Sequence, residues 1–158
     1  MTRREREVTD IAEILRILDA SKVLHLGLCD DGQPYVVPMN YGYIYENGAL
    51  TVYLHGAKKG YKYDVLAKNP RVSFALECDV VPFGGDVACK YGTSYSCVMG
   101  KGTAEIVSDS AEKRRALSVV MKTQTGKDFE FDDKLAGVVG IIRITVSEFT
   151  AKKRPLPV

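Results

Sequence analysis

The chain has 158 residues, enough for one domain with a sizeable core, and a single domain over 1–158 is expected. Lys and Arg number 22 against 20 Asp and Glu, so the net charge of +2 supplies no general pull toward nucleic acid or membrane, and any anion site must be local. No apolar run approaches the roughly 20 residues of a membrane span, and MTRREREVTD lacks the apolar segment of a secretion signal, so a cytoplasmic protein is expected.

Asp10 followed by Glu13 reads as a capping-box-like start, and Ile11, Ile14, Leu15 and Leu18 recur at helical spacing through residue 20. The next stretch predicts three strands, 22–29, 34–44 and 49–55, joined by the turn formers DDGQ and ENG as a meander. Residues 58–69 read as a helix stopped by Asn69-Pro70. A strand resumes over 71–78, residues 79–94 carry turn formers without periodicity, and 95–107 alternates as a long strand whose glycines mark bends or close backbone approach. Asp109 caps a helix to about 124, and 135–152 supplies the last strand. Six strands with three helices fit a small antiparallel barrel flanked by helices, a mainly β, α+β architecture.

Cys29, Cys78, Cys89 and Cys97 never form CxxC, and the only histidines are His25 and His55. Zinc spacing is absent, so free thiols packed in strands and no metal are expected.

The stretch "YLHGAKKGYKYDVLAKNP" is the most informative. Alternation along "ALTVYLH" puts Leu50, Val52 and Leu54 on one face and Thr51, Tyr53 and His55 on the other. Gly56 and Gly60 then allow close backbone approach, and a helix start near Lys58 aims free N–H groups at the same place, with Lys62 one turn inside. Lys58, Lys59 and Lys62 are either a solvated helix face or the cradle of a phosphate. No GxxxxGK[ST] or GxGxxG accompanies them, so neither a P-loop nor a Rossmann site is supported.

The order "VVPMNYGY", "LTVYLHGAKKGYKYDVLAKNPRVSFAL" and "YSCVMGKGTAEIV" resembles the pyridoxamine 5'-phosphate oxidase-like flavin-binding split barrels, and among them the nitroimidazole-resistance type, over about residues 20–152. The resemblance implies a homodimer of six-stranded antiparallel split β-barrels with FMN in the grooves between subunits. It implies that Pro38, Met39, Asn40 and Tyr41 run beside the flavin ring, largely through backbone groups. His55, Gly56, Ala57 and Lys58 would wrap the ribityl chain and phosphate, Lys62 would be the phosphate lysine, and Tyr95 and Ser96 of the opposite subunit would complete the groove. The chain departs from the oxidases that name the superfamily: "AKKRPLPV" lacks their arginine and histidine arrangement for pyridoxal phosphate, although Lys152 and Arg154 remain available to line the groove.

A flavin performs the electron chemistry while the protein positions and tunes it. His55 is the candidate catalytic residue, as proton donor or substrate contact. The expected reaction is reduction of a small flat acceptor, nitroaromatic, quinone-like or flavin-like, with NAD(P)H stacking over the flavin if it is the donor. The rivals are a protein that holds FMN or haem without turnover, with His25 or His55 on iron, and a barrel that tracks nucleic-acid phosphates with its lysines.

Overall fold

A computed structural model describes residues 4–157. A 3-10 turn at Arg4–Arg6 leads into the two-residue strand β1 (Glu7–Val8). Helix α1 (Ile11–Ala20) opens on Asp10, whose side chain accepts from the Ala12 amide at 3.2 Å. Glu13 does not complete a capping box; its carboxylate pairs with Arg16 and Lys153. Ile14, Ile17 and Leu18 are the buried face of this helix, each contributing roughly 1.5–3 kcal/mol by leaving water.

Two hairpins follow, β2 (Leu24–Asp30) with β3 (Gln33–Met39), and β4 (Tyr41–Glu46) with β5 (Ala49–Gly56). The remaining elements are α2 (Tyr61–Lys68), β6 (Arg71–Phe83), β7 (Gly92–Ile106), α3 (Ser110–Thr125), α4 (Asp133–Gly137) and β8 (Gly140–Arg154). Every pairing is antiparallel along the path β3-β2-β6-β7-β8-β5-β4, with β1 added to β8. Because β3 and β4 lie at opposite ends of that path, the barrel is split and not closed.

The expected split barrel with flanking helices is therefore the observed architecture, with eight strands in place of six. One extra strand is β1; the other arises because the expected strand 34–44 breaks at Asn40, whose side-chain amide donates to the Lys22 carbonyl at 3.3 Å. That break also replaces the meander with two separate hairpins. Pro34 and Pro38 have the same parity in β3, so both missing N–H donors fall on one side of the strand, which suits it to an edge.

Three further expectations shift. Residues 79–94, unassigned from sequence, prolong β6 and β7 into a hairpin arm tipped by a 3-10 turn at Ala88–Lys90. A bulge between Cys78 and Val81, with Asp79 at φ 56°, marks the foot of that arm. The last strand begins at Gly140 and not at 135, because Asp132 caps α4 by accepting from the Leu135 amide at 2.8 Å. The expected close approaches in β7 are present: Gly100 lies against the Phe74 ring and Gly102 against the Thr145 carbonyl.

Two cores result. Leu24, Leu26, Val52, Leu54, Leu76 and Ile144 fill the barrel with the buried side of α1. Outside it, α3 and α4 cover part of the sheet with Tyr53, Val107, Ala116, Leu117, Val120, Ala136 and Ile141.

Candidate functional site

Gly60 decides the geometry of the lysine-rich junction. It is the N-cap of α2 at φ 136° and ψ 167°, a conformation that residues with side chains rarely adopt. The helix therefore starts at Tyr61 and not near Lys58, which leaves Lys58 and Lys59 exposed on the preceding loop with Ala57. No side chain caps α2, so its first backbone N–H groups lack a side-chain acceptor.

Lys62 is thus the second helical residue, not one turn inside. Its Nζ reaches back to lie 3.7 Å from the point a Cβ on Gly56 would occupy, and Met39 Cε lies 3.5 Å from the same point. The structure so brings Met39, Gly56 and Lys62 together from β3, β5 and α2. The Lys62 Nζ also sits 4.9 Å from the centre of the Tyr63 ring. The Tyr63 hydroxyl is buried against Gly140 with no hydrogen-bond partner among the described residues. Among the described residues no carboxylate pairs with Lys58, Lys59 or Lys62.

Alternation along β5 is as expected, with Leu50, Val52 and Leu54 in the barrel core. The opposite face is only partly available to a ligand, because Tyr53 is buried in the second core and its hydroxyl donates to Glu112 at 3.5 Å. His55, at the end of that face, is half-buried, and its Nδ1 is buried with no hydrogen-bond partner among the described residues.

Pro38 and Asn40 are exposed at the end of β3. The Tyr41 side chain belongs to the core: it is fully buried, and its hydroxyl donates to the Leu18 and Ser21 carbonyls at 2.5 and 3.3 Å. Burial pushes its phenol well above the usual range. Its carbonyl accepts from Gln124 at 2.8 Å.

Tyr95 and Ser96 lie elsewhere. Gly56 pairs with Gly140 and Tyr95 with Arg154, at the two ends of β8. That strand is 15 residues long, about 45 Å of extended chain, and even strong curvature leaves its ends far apart. One chain does not bring Tyr95 or Ser96 to Lys62. The Ser96 hydroxyl is buried, donating to Asp79 Oδ2 at 2.9 Å.

Asp79 is the residue that sequence reading misses. Its carboxylate also accepts from Arg16 at 2.7 Å, while Glu13 holds Arg16 at 2.9 Å and Lys153 at 2.7 Å. This network fastens the foot of the arm to α1 and β8. Its members are scattered along the chain and carry no motif; only folding assembles them.

Hydrogen bonds from Arg16 and then Lys153 hold the Glu13 carboxyl down at about 2, from an ordinary 4.5, and Arg16 lowers Asp79 in the same direction. A folded-state value below the unfolded one gives stability that is present above the unfolded pKa and lost as pH falls through the folded one. Both side chains are partly exposed, so solvent screens the effect. The urea midpoint should therefore fall as pH drops from about 5 toward 2, and Glu13→Gln should flatten that slope; an unchanged slope would remove Glu13 as its source.

The profile of the pyridoxamine 5'-phosphate oxidase family matches residues 10–153. Among solved structures, a candidate 5-nitroimidazole antibiotic resistance protein of Bacteroides thetaiotaomicron is 30% identical with a TM-score of 0.77, over 93% of this chain and 86% of that one. The flavocytochrome Anf3 of Azotobacter vinelandii is 22% identical with a TM-score of 0.76, over 98% of this chain and 73% of that one. The FAD and heme binding protein of Mycobacterium smegmatis is 15% identical with a TM-score of 0.79, over 97% and 76%. The last two share the fold. No curated protein matches significantly. Among the described residues, no helix is long and apolar enough to cross a membrane. With nearly the whole barrel, from the cap of α1 to the end of β8, inside the matched profile, the chain belongs to the pyridoxamine 5'-phosphate oxidase family.

Proposed function

We propose that the protein is an FMN-binding oxidoreductase that reduces a small flat acceptor, nitroaromatic, quinone-like or flavin-like, in a groove between two copies of the chain. The observation that carries this reading is the Lys62 ammonium, without a carboxylate partner among the described residues, beside Gly56 and the uncapped start of α2. The residues fit a phosphate with a polyhydroxyl chain attached: a cation and open amides for the dianion, and two buried polar atoms, His55 Nδ1 and Tyr63 Oη, that lack partners. The structural neighbour named as an FAD and heme binding protein supports a flavin in this fold, and the one named for nitroimidazole resistance supports a nitroaromatic acceptor.

The flavin ring would supply the electron transfer. In this reading Lys62 and the α2 amides bind the phosphate, with Lys58 beside them, and Gly56 and Ala57 let the backbone approach the ribityl chain. The backbone of Pro38–Tyr41 flanks the ring, with Met39 adjoining Gly56. His55 contacts the acceptor or gives it a proton. A homodimer belongs to this reading: a second copy would bring the β7 segment at Tyr95 and the backbone of Ser96 to the first copy's groove, since the Ser96 hydroxyl is already bonded to Asp79. NAD(P)H as donor would stack over the exposed ring.

The test is the absorbance of purified protein before and after denaturation, followed by an FMN titration. Expected are flavin bands, FMN released on unfolding, and elution as a dimer. Colourless protein that takes up no added FMN overturns the reading.

A second reading, a flat ring held without turnover, is favoured by the likeness to a flavocytochrome and to a FAD and heme binding protein. As an iron ligand His25 would have to leave Glu77, whose Oε1 lies 3.3 Å from its Nε2. A Soret band in the same spectrum distinguishes the two.

A further inference from the structure

We infer that the foot of the β6–β7 arm binds the anionic group of a small organic molecule, and that Arg154 is the residue that holds it. The cavity lies within one chain; that the bound molecule is the acceptor or the electron donor rests on the function proposed above, since Tyr95 and Ser96 belong to the same region.

Arg154 ends β8 opposite Tyr95. Its guanidinium lies 4.7 Å from the centre of the Phe83 ring and is packed on Gly92, where a Cβ would fall 2.7 Å from Arg154 Nη2. Among the described residues no carboxylate pairs with it. Ordering a long flexible side chain costs entropy, and no ion pair offsets that cost here. The Phe83 ring and Gly92 hold the cation in place, and among the described residues its side chain makes no hydrogen bond, so its N–H groups are left for a carboxylate or phosphate.

A cavity of about 290 Å³ opens beside it, walled by Val81, Pro155 and Leu156 and including Ser94, Asp79 and Lys153. The two charged neighbours offset their own partners: Asp79 accepts from Arg16 at 2.7 Å, and Lys153 pairs with Glu13 at 2.7 Å. Arg154 is the charge left over. Val81 and Leu156 are 45% and 50% exposed, apolar surface that a ligand body would cover. The volume is at the small end of ligand cavities, suited to a single ring. One oriented guanidinium over apolar walls selects an acid with a compact apolar body over an inorganic ion.

The experiment is calorimetric titration of the protein as purified with 4-nitrobenzoate and with uncharged nitrobenzene. Arg154→Gln should weaken 4-nitrobenzoate about tenfold or more and leave nitrobenzene within about twofold. Gly92→Ala keeps the charge but displaces the guanidinium from its seat, and should weaken 4-nitrobenzoate several-fold. Displacement of 4-nitrobenzoate by phenyl phosphate assigns the site to an organic phosphate and no displacement assigns it to a carboxylate, whereas equal displacement by inorganic phosphate overturns the inference. Absence of binding, or an Arg154→Gln affinity within about twofold of the parent, overturns the inference. Flavin content and uptake of added FMN are read on the same samples: protein that neither carries nor takes up FMN but still loses the anion with Arg154→Gln fails the FMN reading alone, and flavin-loaded protein indifferent to Arg154→Gln fails this inference alone.

Discussion

Replacing Lys62 by alanine is expected to weaken FMN binding at least tenfold, since a charge-assisted contact to a phosphate is worth about 1.5–3 kcal/mol. The same change should leave the melting temperature of the flavin-free protein nearly unmoved, because Lys62 makes none of the ion pairs among the described residues and its main contact is the Tyr63 ring. Lys62→Met, which retains the stem over that ring, should lose as much affinity as alanine, and so separate charge from packing. Lys58→Ala should cost less, because Lys58 stands on an exposed loop ahead of the helix. Fluorescence quenching of FMN titrated at two salt concentrations measures all three. Unchanged affinity in Lys62→Ala would take that residue out of the site.

A large loss of stability is expected from Gly42→Ala. Gly42 lies in β4 directly under α3, and a Cβ there would fall 2.5 Å from Val120 Cα and 2.6 Å from the Val119 carbonyl carbon and oxygen. These are backbone atoms of a helix, with no rotamer that moves them aside. Either α3 lifts or β4 bends, and in both cases the second core loosens. Overpacking of this kind costs about 1–3 kcal/mol and occasionally more. At the upper end, a domain of this size loses roughly 6–12 °C of melting temperature. Gly137→Ala is the control, because its Cβ would meet nothing within 4 Å and it should melt within about 1 °C of the parent. Differential scanning calorimetry of the three proteins decides it; a Gly42→Ala melting point equal to the control's would mean that α3 does not rest on β4 so closely.

How much of this was legible in the sequence differs from element to element. The period-2 runs and the Asp10 and Asp109 caps carry their own local physics, and the elements formed where those signals stood. The sequence does not separate a start of α2 at 58 from one at 61; Gly60 at φ 136° settles it, a backbone angle that composition does not reveal. The α4 turn reads as strand in the sequence because "LAGVVG" is apolar throughout, and only its cap at Asp132 separates helix from strand. The family resemblance sets Tyr41 beside the site largely through its backbone, and the direction of its side chain into the core depends on the Leu18 and Ser21 carbonyls of another part of the chain.

By itself the sequence determined that the chain forms an antiparallel sheet with helices between its strands, and that lysines and glycines gather after β5, since alternation, caps and turn formers act over a few residues. Only the tertiary structure decided that β3 and β4 stand at opposite ends of the sheet, that Met39, Gly56 and Lys62 meet while Tyr95 lies at the far end of β8, and that Glu13, Arg16, Asp79 and Ser96 join in one network. Those outcomes turn on strand order and register, which are set by long-range pairing and burial and have no local signature.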